Sequence, residues 1–314
     1  MWAAAYRQQR ERLSALPARH EDAGAVLAKL ADLSHEFPGV AALENGRLCG
    51  YLIGFPIPEF KGAERGLYCP IWAHAAARHR RASVYRQLYE RISSQWVQAG
   101  CLTHAITLYA DDAETADVWF RNGFGLLVID ALRPLSPVES MSPPEVTIRQ
   151  GTGDDLDSVL PLSDGLSRYM ADGPIFLPLL EMPSRAEWEE WLTQPAHTLW
   201  LALRGGEAVA YLRTQPPAFD ATYVVSDPQT ISITGAYAKP EWRSKGVATL
   251  LLQQAIEWAR ANGYERCSVD FESANLYGSR FWLRHFRPIC HSLIRRVDER
   301  IAWAHAERPA GSIW

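Results

Sequence analysis

The chain has 314 residues, 47% of them apolar and 22% charged, with a formal net charge of −4. These proportions fit a soluble globular protein with material for two cores, and they exclude a disordered chain, a collagen-like repeat and a disulfide scaffold. No apolar run approaches the roughly 18 residues of a membrane span, the N-terminal MWAAAYRQQRERL lacks the order of a signal peptide, and five dispersed cysteines read as free thiols, so a cytoplasmic location is expected.

Taken in chain order, the spacing of apolar residues predicts helices over 3–15 and 22–33. ALENGRLCGYL (42–52) reads as a hairpin, GLYCPIWAHA as a strand, 82–99 as a helix, LTHAITLY as a strand, 112–121 as a helix and FGLLVIDALRP as a strand. PLSPVESMSPP (134–144) is dense in proline and serine and has no periodicity, which predicts a semi-rigid linker at 136–144 between domains at 1–135 and 145–314. Beyond it, VTIR (146–149) reads as a strand, Asp154-Asp155 as the cap of a helix, 185–193 as a helix, and 199–214 as a hairpin turning at Gly205-Gly206. A strand over 231–238, a helix over 245–261 closed by Asn262-Gly263, the strand RCSVDF, a short helix over 275–284 and the strand PICHSLIRRV complete the second half.

The two halves are written alike. Under an offset of 163 residues, Arg80 falls on Arg243, Val84 on Val247, Leu88 on Leu251, Gly100 on Gly263 and Trp119 on Trp282. ALENGRLCGYL likewise falls on ALRGGEAVAYL (202–212) at an offset of 160. One domain used twice is the reading, with an α+β fold in which each copy is a mixed, mostly antiparallel sheet flanked by helices.

Residues 243–248, RSKGVA, open the 245–261 helix directly after a strand. Unpaired N–H groups and the dipole at a helix start favour an anion there. Gly246 admits close backbone approach, Ala248 keeps the next turn thin, and Arg243 and Lys245 add positive charge. Taken alone, the segment also reads as a plain helix start with a flexible glycine. Arg243, Gly246 and Ala248 also fill the three specified positions of Q/R-x-x-G-x-G/A, and Asn275, Gly278, Phe281 and Trp282 follow at the spacing Asn-x-x-small-x-x-Phe-aromatic. On these motifs the chain resembles the GNAT acyltransferase superfamily, across most of 146–297 and in weaker form across 40–132. The resemblance implies an acyl-CoA or phosphopantetheine-borne donor, a pyrophosphate site at Arg243, Ser244, Lys245, Gly246, Val247 and Ala248, and pantetheine contacts from Tyr237, Ala238 and Asn275; no metal is expected. In the first half the aligned loop is Arg80-Arg81-Ala82-Ser83-Val84-Tyr85, where Ser83 and bulky Tyr85 hinder a diphosphate, so this copy is expected to be degenerate.

Acyl transfer to an amine needs a neutral amine, a stabilised oxyanion and a proton for the departing thiolate. The 231–238 strand has no carboxylate and offers Thr234; Asp270 and Glu272, two apart and so on one face of the next strand, are the nearest acids, and they read as well as solvated or ion-paired carboxylates. Trp282 stands where the family places a tyrosine, leaving Tyr277 as a candidate acid that simple packing also explains. The acceptor pocket is expected from 163–183 and 215–230, with Tyr169, Phe176, Phe219 and Tyr223, and suits a small amphipathic amine of specialised metabolism. Arg78, His79, Arg80, Arg81 and Arg86 form a basic cluster, read as a solvated face or a docking surface for an acidic acyl carrier protein. No basic stripe interleaved with aromatics suggests nucleic acid. The altered positions keep open a second class, a non-catalytic sensor that binds CoA or a metabolite.

Overall fold

The computed structural model describes residues 1–60, 64–139, 145–178, 182–217 and 222–301. Helices α1 (Trp2–Arg12) and α2 (Ala23–Glu36) come first, then strands β1 (Gly39–Glu44), β2 (Arg47–Ile53), β3 (Phe55–Phe60), β4 (Glu64–Cys69) and β5 (His74–Ala76). Helix α3 (Arg81–Gln98), β6 (Thr103–Tyr109), α4 (Ala113–Arg121) and β7 (Gly125–Pro134) follow. The second half runs β8 (Thr147–Gln150), α5 (Leu156–Ala171), α6 (Arg185–Thr193), β9 (Thr198–Arg204), β10 (Glu207–Gln215) and β11 (Thr230–Ala238). It closes with α7 (Val247–Ala261), β12 (Arg266–Glu272), α8 (Leu276–His285) and β13 (Arg287–Arg296).

The expected α+β plan holds, with four differences. GLYCPIWAHA, expected as one strand, divides into β4 and β5, which belong to different sheets. FPIPEF forms β3 although two prolines obscure its alternation; β3 ends its strand order, where a missing N–H breaks no ladder. Helix α5, opened by a capping box of Thr152 and Asp155 and running through Pro161, occupies the first part of the 163–183 segment expected to build the acceptor pocket. The linker is partly packed: Val138 is buried in the core, as is Leu135 just before it, while 140–144 lie outside the described residues.

Packing divides the chain into two units, one built of Met1–Arg7, Arg19–Leu127 and the chain from His291 onward, the other of Gln8–Ala18 and Val128–Cys290. The chain therefore changes unit inside β7 and again inside β13. Each half of the sequence gives most of its closing strand to the unit made mainly from the other half, a division unlike the sequence boundary at 136–144. Strand alternation specifies which face is buried, not which sheet receives it.

In the first unit the strand order β3-β4-β6-β13 stands beside a small β1-β2-β5 sheet, and α3 buries Val84, Leu88, Ile92 and Trp96. In the second, the order is β7-β12-β11-β10-β9-β8, and α7 buries Val247, Leu251, Ala255 and Ala259. The 163-residue offset carries each of these four α3 positions onto its α7 counterpart, so the written repeat marks the buried stripe of two helices. All five cysteines are free and buried.

Candidate active site

The site lies in the second unit, where two neighbouring strands part. Strand β11 pairs with β12 in parallel only from Thr230↔Arg266 to Ile233↔Val269. Against β10 it stays paired to Ala238, with a register shift: Arg213 faces Gly235 and Thr214 faces Ile233, leaving Thr234 as the extra residue of a β-bulge. The edge of residues 234–238 that faced β12 is thus uncovered just beyond the bulge. From Ala238 the chain turns through Pro240–Trp242 into the 243–246 loop, in which Ser244 (φ 59°) and Gly246 (φ 82°) are left-handed. Gly246 is the N-cap of α7, and no side chain caps that helix, so its first amides are offered to a ligand or solvent.

A pocket of about 810 Å³ joins these features, and its lining includes Tyr237, Ala238, Arg243, Ser244, Gly246, Val247 and Ala248 together with Tyr169, Asn275 and Tyr277. Tyr169 on α5, Tyr237 on β11 and Tyr277 on α8 surround the Arg243 guanidinium at 4.8, 5.4 and 5.3 Å from ring centre to Cζ. Arg243 Nε also donates to the Ala238 carbonyl (3.2 Å), fastening the loop to the end of β11. Asn275 caps α8: its Oδ1 accepts from Gly278 N (2.8 Å) and from the Tyr169 hydroxyl (2.9 Å). Among the described residues its Nδ2 donates only to the Met170 sulfur, at 3.8 Å, and keeps donor capacity. Burial raises the Tyr169 pKa, opposed by the Arg243 charge.

Other expected residues fall elsewhere. Lys245 rests over the Trp242 ring (5.3 Å) and is not in the pocket lining; neither are Thr234, Asp270, Glu272, Phe176 or Tyr223. Phe176 is 72% exposed, Tyr223 sits in a short turn, and Phe219 lies outside the described residues. Trp282 is a core residue, edge-on to both Phe281 and Phe286, and it also reaches the pocket lining. His285 lines the pocket with its Nε2 buried and without a partner among the described residues, and burial lowers its pKa.

One acid was not anticipated. Asp130 on β7 stands directly opposite Asp270 on β12 in the antiparallel ladder, so both side chains share one face. Asp130 is half-buried; it accepts a hydrogen bond from the Thr222 hydroxyl, while its Oδ2 is enclosed without a partner among the described residues. Burial, reinforced by the Asp270 charge, pushes its pKa up to about 7. Asp270 follows Val269, the last residue of β12 that pairs with β11, and Asp130 lies one strand further away; like Asp270, it is not in the pocket lining.

Residues 168–286 match the model of the family described as "Acetyltransferase (GNAT) family". They form a GNAT acetyltransferase domain. A GCN5-related N-acetyltransferase from Sphaerobacter thermophilus has a similar fold, with TM-score 0.52 and 14% identity over 82% of this chain and 80% of that one. A GCN5-related N-acetyltransferase from Kribbella flavida matches at TM-score 0.45 and 14% identity, over 88% and 96% of the two chains. An aminoglycoside N-acetyltransferase in complex with CoA matches at 0.35 and 18% identity, over 44% and 88%. No curated protein matches the chain. Asp130 lies outside the matched GNAT segment, on a strand that the sequence reading assigned to the first half.

Outside the GNAT match, the loop of the first unit is filled. Tyr85, at the position equivalent to Ala248, is 4% exposed and packs against Trp119. Its hydroxyl donates to His74 Nδ1 (2.9 Å), whose Nε2 in turn donates to the Thr107 carbonyl (2.8 Å). Burial drives the His74 pKa down to about 4 and keeps the ring neutral. Within the basic cluster, Arg80 and His79 pair with Glu44, Arg81, only 15% exposed, pairs with Asp112 at 2.8 Å, and Arg86 is exposed. Among the described residues no helix is long and apolar enough to cross a membrane, and no cluster of His, Cys, Asp or Glu is arranged for a metal.

Proposed function

We propose that the second unit transfers an acyl group from a pantetheine thioester, borne by CoA or an acyl carrier protein, to an amine of a small molecule. The observation that carries this reading is the meeting, at one pocket, of an uncovered strand edge and an uncapped helix start. A pantetheine arm has amides to pair along the edge at 234–238, and a diphosphate suits the amides of Val247 and Ala248. Gly246 in its left-handed conformation lets that backbone approach closely. The first unit is proposed to be a degenerate copy, with Tyr85 occupying the space of its loop.

The thioester supplies the acyl group: the amine nitrogen forms the C–N bond as the C–S bond breaks. Asp130, which stands outside the pocket lining, is the proposed final acceptor of the proton that the amine sheds, reached by relay and not by direct contact. A carboxylate with a pKa near 7 is ionised in a useful fraction at neutral pH and still binds a proton well. Asp270, beside it, keeps that affinity high. Tyr277, a pocket phenol, gives a proton to the departing sulfur. The test is release of free thiol from acetyl-CoA across a panel of small amines, repeated with an acyl carrier donor. Amine-dependent release is expected; CoA binding without release from any amine would leave the sensor reading instead.

A further inference from the structure

We infer that Arg213 is a positioning residue of the acyl-transfer site, pinning the bulge at Thr234 and so fixing the uncovered edge of β11 against which the donor lies. The consequence for catalysis rests on the acyl-transfer reading; the pinning rests on geometry alone. Arg213 reaches from β10 across β11, and its Nε (3.3 Å) and Nη2 (3.2 Å) both donate to the Thr234 carbonyl. A bulge leaves its extra residue out of the ladder, and here a side-chain fork from the neighbouring strand takes up the orphaned oxygen. The hydroxyl of the same residue is held as well: Thr234 Oγ1 donates to Gln215 Oε1 (3.3 Å), which also accepts from Trp191 Nε1 (2.7 Å).

The guanidinium lies over Trp188 at 5.1 Å and Trp191 at 5.5 Å, so the two rings form a shelf that sets its plane. No carboxylate among the described residues pairs with it, and burial lowers its pKa. A largely desolvated cation without a counter-ion is costly, and its donors go to one carbonyl at the residue where β12 leaves β11. Gly235 belongs to the same device. A Cβ there would stand 2.8 Å from Arg213 Nε, so a side chain at 235 would push the fork off the bulge.

Arg213→Met, Arg213→Lys and Gly235→Ala test this with four readouts: steady-state kinetics, CoA affinity, thermal midpoint, and amide hydrogen exchange across 230–238. In Arg213→Met and Gly235→Ala, exchange at 234–236 is expected to accelerate, and kcat to fall about 100-fold, the scale of an ångström-sized misplacement. CoA affinity should fall much less than kcat, because Gly246 and the start of α7 are untouched and only the pantetheine contacts along 234–238 are disturbed. Arg213→Lys, a point charge without the planar fork, should fall between. Unchanged exchange in both variants would overturn the pinning. Loss of kcat only in proportion to CoA affinity and thermal midpoint would overturn the positioning role. If the wild-type protein transfers no acyl group, the transfer reading fails, and exchange still decides the pinning.

Discussion

Replacing Asp130 by Asn separates the cost of the site from its use. The folded carboxyl has a pKa of about 7 against an ordinary value of 3.8, because burial and the facing Asp270 disfavour its charge. Below pH 3.8 the folded and unfolded chains both hold the proton, and the full stability is present. Between about 4 and 7 the unfolded chain releases it while the folded chain retains it, so stability falls as pH rises. Above 7 both are ionised and the loss is complete. At about 1.36 kcal/mol per tenfold difference in proton affinity, the whole loss is ~4 kcal/mol. Asparagine has the same shape and never ionises. Urea unfolding of the two proteins from pH 4 to 9 should therefore coincide near pH 4 and diverge to pH 7, with the Asn protein more stable by up to ~4 kcal/mol at pH 8. The same variant should lose about 10²–10⁴-fold in kcat if Asp130 is the base. A stability difference independent of pH, or one that favours the wild type increasingly as pH rises, would refute the reasoning.

Three further substitutions probe the surrounding parts. Gly246→Ala places a Cβ at φ 82° and should cost roughly 1–2 kcal/mol in denaturant unfolding, with CoA affinity lowered at least about tenfold in calorimetry. Asn275→Ala removes the cap of α8 and the acceptor of the Tyr169 hydroxyl, so thermal unfolding should report a loss of about 1–2 kcal/mol, alongside a raised KM for the donor. Tyr85→Phe removes the hydrogen bond to His74 and should cost about 1 kcal/mol of stability while leaving acyl transfer unchanged, since its unit is proposed to be silent.

Much of the second half was legible because local rules and tertiary placement agree there. The stripe Val247, Leu251, Ala255 and Ala259 has helical period, and Gly246 sits where a left-handed residue opens that helix. The three tyrosines around Arg243 are far apart in sequence, at 169, 237 and 277, and no pattern links them before folding. Asp130 was hidden for a different reason. It belongs to a strand read with the first half, and the exchange of closing strands delivers it to the second unit. The available signal was a carboxylate inside the apolar run LLVIDAL, which ordinary burial preferences disfavour. For the basic cluster, composition shows cations and not their partners: Glu44 and Asp112 are distant in sequence and adjacent in space.

The central claim is that one unit holds a pantetheine donor and the other does not. Isothermal titration of the whole chain with CoA tests it most directly. The expected result is one site per chain, weakened by Gly246→Ala and untouched by Tyr85→Phe. Two sites per chain, or none, would contradict it.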